Sequence, residues 1–279
     1  MAEASAPSAR WSSAGFDVIR HVGRRSRPFL FAFAVLVVWE LVSRADTLTL
    51  PRSSLPAPTD IIRELFDQVR TADFWTAVGQ TLEGWGIGLA IAVVAAVVLG
   101  VVVGSSRPVY KSLRAMIELL RPIPSIAAIP LLILVIGIGL NLKLLVIAVA
   151  CFWPVFLQTI YGVQDVDREA RDMGRVYGFG RLMVFSRIVV PSAAPYIVTG
   201  VRLAAATALN VAIAIELLIG STHGIGEKMS QLQVANRVAT VYAYIVVAGL
   251  LGLLINVGIR RVERRILRWH PAQRKMVPL

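Results

Sequence analysis

Four stretches of this chain run for 21 to 23 residues without an Asp, Glu, Lys or Arg: Gly84–Ser106, Pro122–Leu142, Leu144–Gln164 and Val238–Ile259. A helix rises about 1.5 Å per residue, so each run matches the roughly 30 Å hydrocarbon core of a bilayer. Two further regions are weaker. Ile188–Gly226 is long but interrupted by Arg202 and Glu216, and Pro28–Ser43 is short and contains Glu40. The runs far exceed barrel strands and lack a two-residue alternation. The expected fold is therefore all-α: a polytopic membrane protein with six transmembrane helices.

Composition agrees. The chain is 56% hydrophobic and 16% charged, with a mean hydropathy of +0.69, whereas soluble domains carry about 25% charged residues. This excludes a soluble domain, a disordered chain and a disulfide scaffold. The single cysteine, Cys151, lies in an apolar run and reads as a small buried hydrophobe. His21, His223 and His270 are far apart, so no metal-ligand spacing exists and no metal site is expected.

The formal net charge of +12 would point to nucleic acid in a soluble protein. Its placement argues otherwise. With the N-terminus inside and six crossings, inside segments hold 21 of the 29 basic residues, outside segments 7, and Arg202 is the remaining one. Basic residues concentrate on the cytoplasmic side of membrane proteins, so N-in and C-in is the expected orientation. The segments are too short for a nucleic-acid reading module, and no nucleic-acid partner is expected.

Residues 1–27 form a cytoplasmic arm, expected to be partly disordered, with no small-residue cleavage site after the first apolar run. Residues 28–259 form the transmembrane domain, and 260–279 a basic tail. Arg260, Arg261, Arg264, Arg265 and Arg268 would form a stripe attracted to anionic membrane lipid. Residues 61–70 are amphipathic and fit either an interfacial helix or an ordinary packed one.

The inside loop of about 163–191 carries the strongest signal. Asp165 and Asp167 suit helix caps and Glu169 a first turn. A helix over Arg168–Tyr177 would close at Gly178 in a left-handed conformation. A second short helix over Arg181–Ile188 would end before Pro191. Helix, glycine corner and helix make a protrusion suited to a groove on a soluble partner, or a plain connection between two spans.

This segment resembles the coupling loop of permease subunits of type I ATP-binding-cassette importers. That loop reads Glu-Ala-Ala, three residues, Gly, nine residues, Ile, two residues, Pro. Here Asp172, Met173 and Gly174 stand at the triplet, and Gly178, Ile188 and Pro191 follow at the same spacing. The triplet departs from the pattern, keeping an acidic first residue and a small third one. The resemblance runs from about Leu55 to Trp269. Leu55–Pro58, Arg121–Pro124, Ile129–Leu131, Gly137–Gly139, Pro191–Arg202, Glu216–Leu218 and Gly224–Gly226 are similar to the sulfonate, taurine and nitrate branch.

The resemblance implies a type I importer permease fold in the bacterial inner membrane. Its partners would be two ATPase subunits on the coupling loops, a second permease copy (a homodimer is expected) and an extracytoplasmic solute-binding protein. The cargo would be a small organic or inorganic anion. The chain contains no Gly-Lys-Ser or Gly-Lys-Thr, so it has no phosphate cradle of the P-loop type. ATP and Mg would act in the partners, with no cofactor on this chain and no catalytic residue. Transport would proceed by alternating access.

Inside the spans, Glu216 stands out, because a carboxylate in an apolar helix needs a partner or water. It would serve either as a structural hydrogen-bonding group or in the pathway or its gate. Asn210, Gln158 and Tyr161 are the other pathway candidates, with helix-to-helix bonding as their plain role. Pro124, Pro130 and Pro154 would bend or break helices. An intramembrane enzyme lacks its motifs here. A lone secondary transporter or channel using Glu216 as a proton site is the remaining alternative.

Overall fold

The computed structural model describes residues 30–45, 55–220 and 222–268, and the expectation for residues 1–27 lies outside them. The chain divides into two units, Met1–Arg63 and Glu64–Leu279. In the first, residues 30–44 form helix α1. Glu40 meets Arg44 at 2.5 Å, and accepts from the backbone N–H of Thr59 at 3.2 Å and from its hydroxyl at 2.9 Å. The carboxylate in the weakest apolar run is thus fully engaged. Helix α2 (Pro58–Val69) begins in the first unit and ends in the second.

The second unit is built on three long helices: α3 (Ala72–Ser105), α6 (Leu140–Gln164) and α9 (Val190–Ile219). Helix α3 starts where the Thr71 hydroxyl accepts the Phe74 N–H at 3.3 Å, an N-cap. Along α3 a small residue recurs every fourth position: Gly84, Gly88, Ala92, Ala96, Gly100 and Gly104, all buried. These form one ridge, and it lets the α6 backbone approach closely. A methyl group at Gly88 would stand 2.7 Å from Ile147 Cγ2, and one at Gly100 2.7 Å from Thr159 Cβ. On its other side α6 meets α9, where Gly200 packs on Val155 and Pro154 and the Cys151 thiol donates to the Ala204 carbonyl at 3.3 Å. The core runs along these two seams, with Val146, Ile160, Ala208 and Ile215 fully buried.

Two sequence expectations change. The third apolar run, Pro122–Leu142, is not one helix. Helix α4 (Arg107–Leu120) ends just before Pro122. A 3-10 turn (Ser125–Ala128) and short helix α5 (Ile129–Ile136) follow at a bend of 76°. Pro122 and Pro124 lack the N–H that would extend α4. Gly137, at φ 82°, and Gly139, at φ 149°, then end α5 and admit α6. Pro154, by contrast, stays inside a continuous α6.

The second change concerns Pro191. After α7 (Arg168–Val176) and α8 (Arg181–Val184), a π turn (Phe185–Val189) leads without a break into α9. The wider turn accommodates the proline at 191, near the start of α9, and Pro195 stays inside that helix without stopping it. Past α9, Gly220 adopts a left-handed cap at φ 65°. Helices α10 (Ile225–Val234) and α11 (Val238–Ile266) follow.

Among the described residues, four helical segments are long and apolar enough to cross a membrane: α3, α6, Arg181–Ile219 and α11. The bent pair of α4 and α5 makes a fifth if it is one span. Their outward faces are apolar, with Val94, Val98, Leu253 and Leu254 exposed, as lipid contact requires. Helix α11 continues to Ile266 and carries Arg260, Arg261, Arg264 and Arg265 on its last turns.

Candidate functional site

The protrusion between α6 and α9 is a locked corner. Asp167 accepts the Glu169 N–H at 2.9 Å and starts α7. At its far end the Gly178 N–H reaches the Arg175 carbonyl at 2.9 Å, and the Phe179 N–H reaches that of Gly174 at 2.9 Å. This pair of bonds is a Schellman motif, which needs a left-handed residue at Gly178, here at φ 77°. Gly174 is buried, and a methyl group there would lie 2.7 Å from Ile188 Cδ1. Two residues of the spaced pattern are thus in contact.

Asp172 pairs with Arg175 at 3.0 Å on the exposed face. The Arg171 guanidinium donates to the Val163 carbonyl and ties α7 to the end of α6. Burial, with Arg175, Arg107 and Arg168 nearby, lowers its pKa. Beyond the corner, Met173, Val176, Tyr177 and Leu182 are exposed, Val176 at 87%. Pro191 lines a cavity of about 880 Å³ with Asp165 and Tyr196, whose hydroxyl donates to Asp165 at 2.8 Å.

Glu216 is completely buried and lines neither this cavity nor the cleft described below. It meets Lys143 Nζ at 2.6 Å and accepts from the Thr81 hydroxyl and the Gly226 N–H, each at 2.9 Å. Thr81 in turn accepts the Ile225 N–H at 2.9 Å. Lys143 also donates to the carbonyls of Gln80 and His223, both at 3.0 Å. One ion pair therefore joins α3, α6, α9 and the start of α10. The closeness demands glycine: a methyl group at Gly224 would stand 2.3 Å from Glu216 Cδ, and one at Gly84 2.3 Å from Lys143 Cε.

Sequence reasoning missed Lys143, counting it among loop cations. It is the only charged residue between Arg121 and Asp165. That isolation was the available signal, since a lone cation flanked by two apolar runs also needs a partner. The other intramembrane cation, Arg202, meets Glu263 at 3.2 Å.

Gln158 and Tyr161 line a cleft of about 470 Å³ bounded by the α4–α5 bend, α6 and α9. Arg121, Ser125, Trp153 and Thr207 share its wall. Asn210 is exposed one turn beyond Thr207 and outside that lining. The four pathway candidates are therefore not one constellation. Among the described residues, no group of three His, Cys, Asp or Glu could hold a metal ion.

Residues 88–268 match the family of binding-protein-dependent transport system inner membrane components. The chain belongs to this family. The permease is 27% identical to the nitrate import permease protein NrtB of Synechocystis sp., over 89% of this chain and 90% of that one. It is 29% identical to the putative aliphatic sulfonates transport permease protein SsuC of Escherichia coli, over 89% and 93%. The solved inward-facing MetNI methionine ABC transporter aligns with a TM-score of 0.60 at 18% identity, covering 69% of this chain and 96% of that one. A solved amino acid ABC transporter with histidines aligns at 0.57 and 16% identity, covering 78% and 100%. The permease is thus a multi-pass inner-membrane component of an ABC importer with a type I fold. The lone secondary transporter falls away, because the family works with a binding protein.

Proposed function

We propose that two copies of this permease, each with six spans and both termini inside, form the pathway of an importer for a small anion. The cargo class follows the relatives named for nitrate and aliphatic sulfonates. A solute-binding protein delivers it from outside, and two ATPase subunits hydrolyse ATP with Mg inside.

The observation that carries the coupling role is the corner at Gly178. Its Schellman bonds, its Gly174–Ile188 contact and its exposed apolar tip make a rigid knob for a groove on the ATPase. Asp172, Met173, Gly174 and Gly178 sit in the knob, and Ile188 and Pro191 lie where it joins α9. Because α8, the π turn and α9 are continuous, closure of the ATPase pair displaces α9 with the knob. A rigid element with two positions is what such transmission requires.

The test is Gly178→Val in the assembled complex. A β-branched residue resists φ 77°. ATP-driven uptake should fall at least about tenfold for a loss of about 1.4 kcal/mol, while the permease still assembles in the membrane. Uptake unchanged from wild type would remove the coupling assignment.

A further inference from the structure

Three cavities differ in the charge that their walls leave free. The 880 Å³ cavity beside the knob has Asp165 and Asp167 in its wall, which repel anions. A cavity of about 330 Å³ touches Lys143 and is also lined by Glu83. Lys143 is already paired with Glu216 and donates to the Gln80 and His223 carbonyls.

The 470 Å³ cleft differs from both. Arg121 stands in its wall, no carboxylate does, and among the described residues the Arg121 side chain makes no hydrogen bond or ion pair. Ser125, Gln158, Tyr161 and the Trp153 indole N–H share the wall and are likewise uncommitted. Thr207 spends its proton on the Leu203 carbonyl at 3.1 Å. The position of Arg121 is built rather than incidental. It caps α4, with its N–H on the Ile117 carbonyl at 3.0 Å, and Pro122 and Pro124 stiffen the bend that follows.

A planar guanidinium with several spare donors around it suits a compact oxyanion held through two oxygens. We propose that this cleft is a waypoint for the transported anion within the permease, with Arg121 as its principal binding residue. The proposal rests on the anion-import reading and adds the place where the permease itself contacts the cargo. A lipid phosphate offers the same oxyanion chemistry and is the source to be told apart.

The experiment uses the permease assembled with its ATPase subunits, in phosphate-free maltoside detergent. Radiolabelled nitrate and ethanesulfonate serve as probes in equilibrium dialysis without the binding protein. Wild type should bind at least one of them saturably. Arg121→Gln should weaken binding about tenfold or more, Arg121→Lys should weaken it less, and Arg237→Gln, outside the cleft lining, should leave it unchanged. Wild type without saturable binding would overturn the proposal, as would Arg121→Gln binding equally well. So would Arg121→Gln losing co-purified phospholipid phosphorus while keeping anion binding, which assigns the arginine to lipid. ATP-driven uptake by wild-type vesicles with the binding protein separates the two readings. Uptake of a cation or neutral solute alone sinks anion import itself, whereas anion uptake with Arg121→Gln unimpaired in binding sinks only the waypoint.

Discussion

Removing Lys143 tests the buried ion pair that joins α3, α6, α9 and the start of α10. In Lys143→Met the side chain keeps its length and loses its charge, leaving Glu216 with only the Thr81 hydroxyl and the Gly226 N–H. The pair is completely buried on the carboxylate side and 1% exposed on the lysine side, so water does not replace the lost partner. Breaking such a pair from one side costs about 3–5 kcal/mol. For a chain of this size each kcal/mol lowers the melting temperature by about 2–4 °C, which places the loss near 6–20 °C. The assay is thermal unfolding of the purified permease followed by fluorescence-detected size exclusion. Glu216→Leu alone should cost a similar amount. The double variant should regain most of the loss, because two apolar groups leave no stranded charge. A single variant melting within about 2 °C of wild type, or a double variant as unstable as the worse single one, would refute the link.

Three further outcomes follow from packing and exposure. Gly100→Val places a side chain where Thr159 Cβ already stands 2.7 Å away, and it should destabilise the permease by about 1–3 kcal/mol in the same unfolding assay. Gly174→Leu collides with Ile188 and should cut ATP-driven uptake several-fold while the melting temperature falls by less than for Gly100→Val; equal uptake would show that the corner tolerates repacking. Arg237→Ala breaks a pair at 3.0 Å with Glu64, but the arginine is half exposed, so the cost should stay below about 1 kcal/mol, visible as a melting temperature lowered by less than about 4 °C.

Much of this molecule was legible in its sequence because a membrane imposes one rule on length and charge. The run at Val238–Ile259 lies inside α11, that at Gly84–Ser106 fills α3 to its last residue with Ser106 as the cap, and the spacing from Asp172 to Pro191 located the corner that Gly178 closes. Charge counting was weaker where charge is buried. Lys143 marks a gap between two apolar runs, yet it opens α6 and meets a residue far along the chain. No local pattern reports a partner on another helix. The bend after α4 was half visible: Pro122 and Pro124 announce a break, but a charge-free run through them reads as a span when only hydropathy is weighed. Pro191 shows the reverse error, since a π turn lets the helix pass a residue that normally stops it.

The ridge on α3 has a mechanical consequence. Along the α3–α6 seam the small residues of α3 take α6 side chains directly onto their backbone, Ile147 on Gly88 and Thr159 on Gly100, and leave little room for those side chains to change rotamer. Sliding would drive Ile147 and Thr159 into the next small residue's neighbours, so these helices must travel together as a single strut. Only 22% of the apolar window of α11 is buried, against 50% for α6. The freedom that opening and closing require is therefore expected at α11 and at the proline bend after α4, where the fold retains some play.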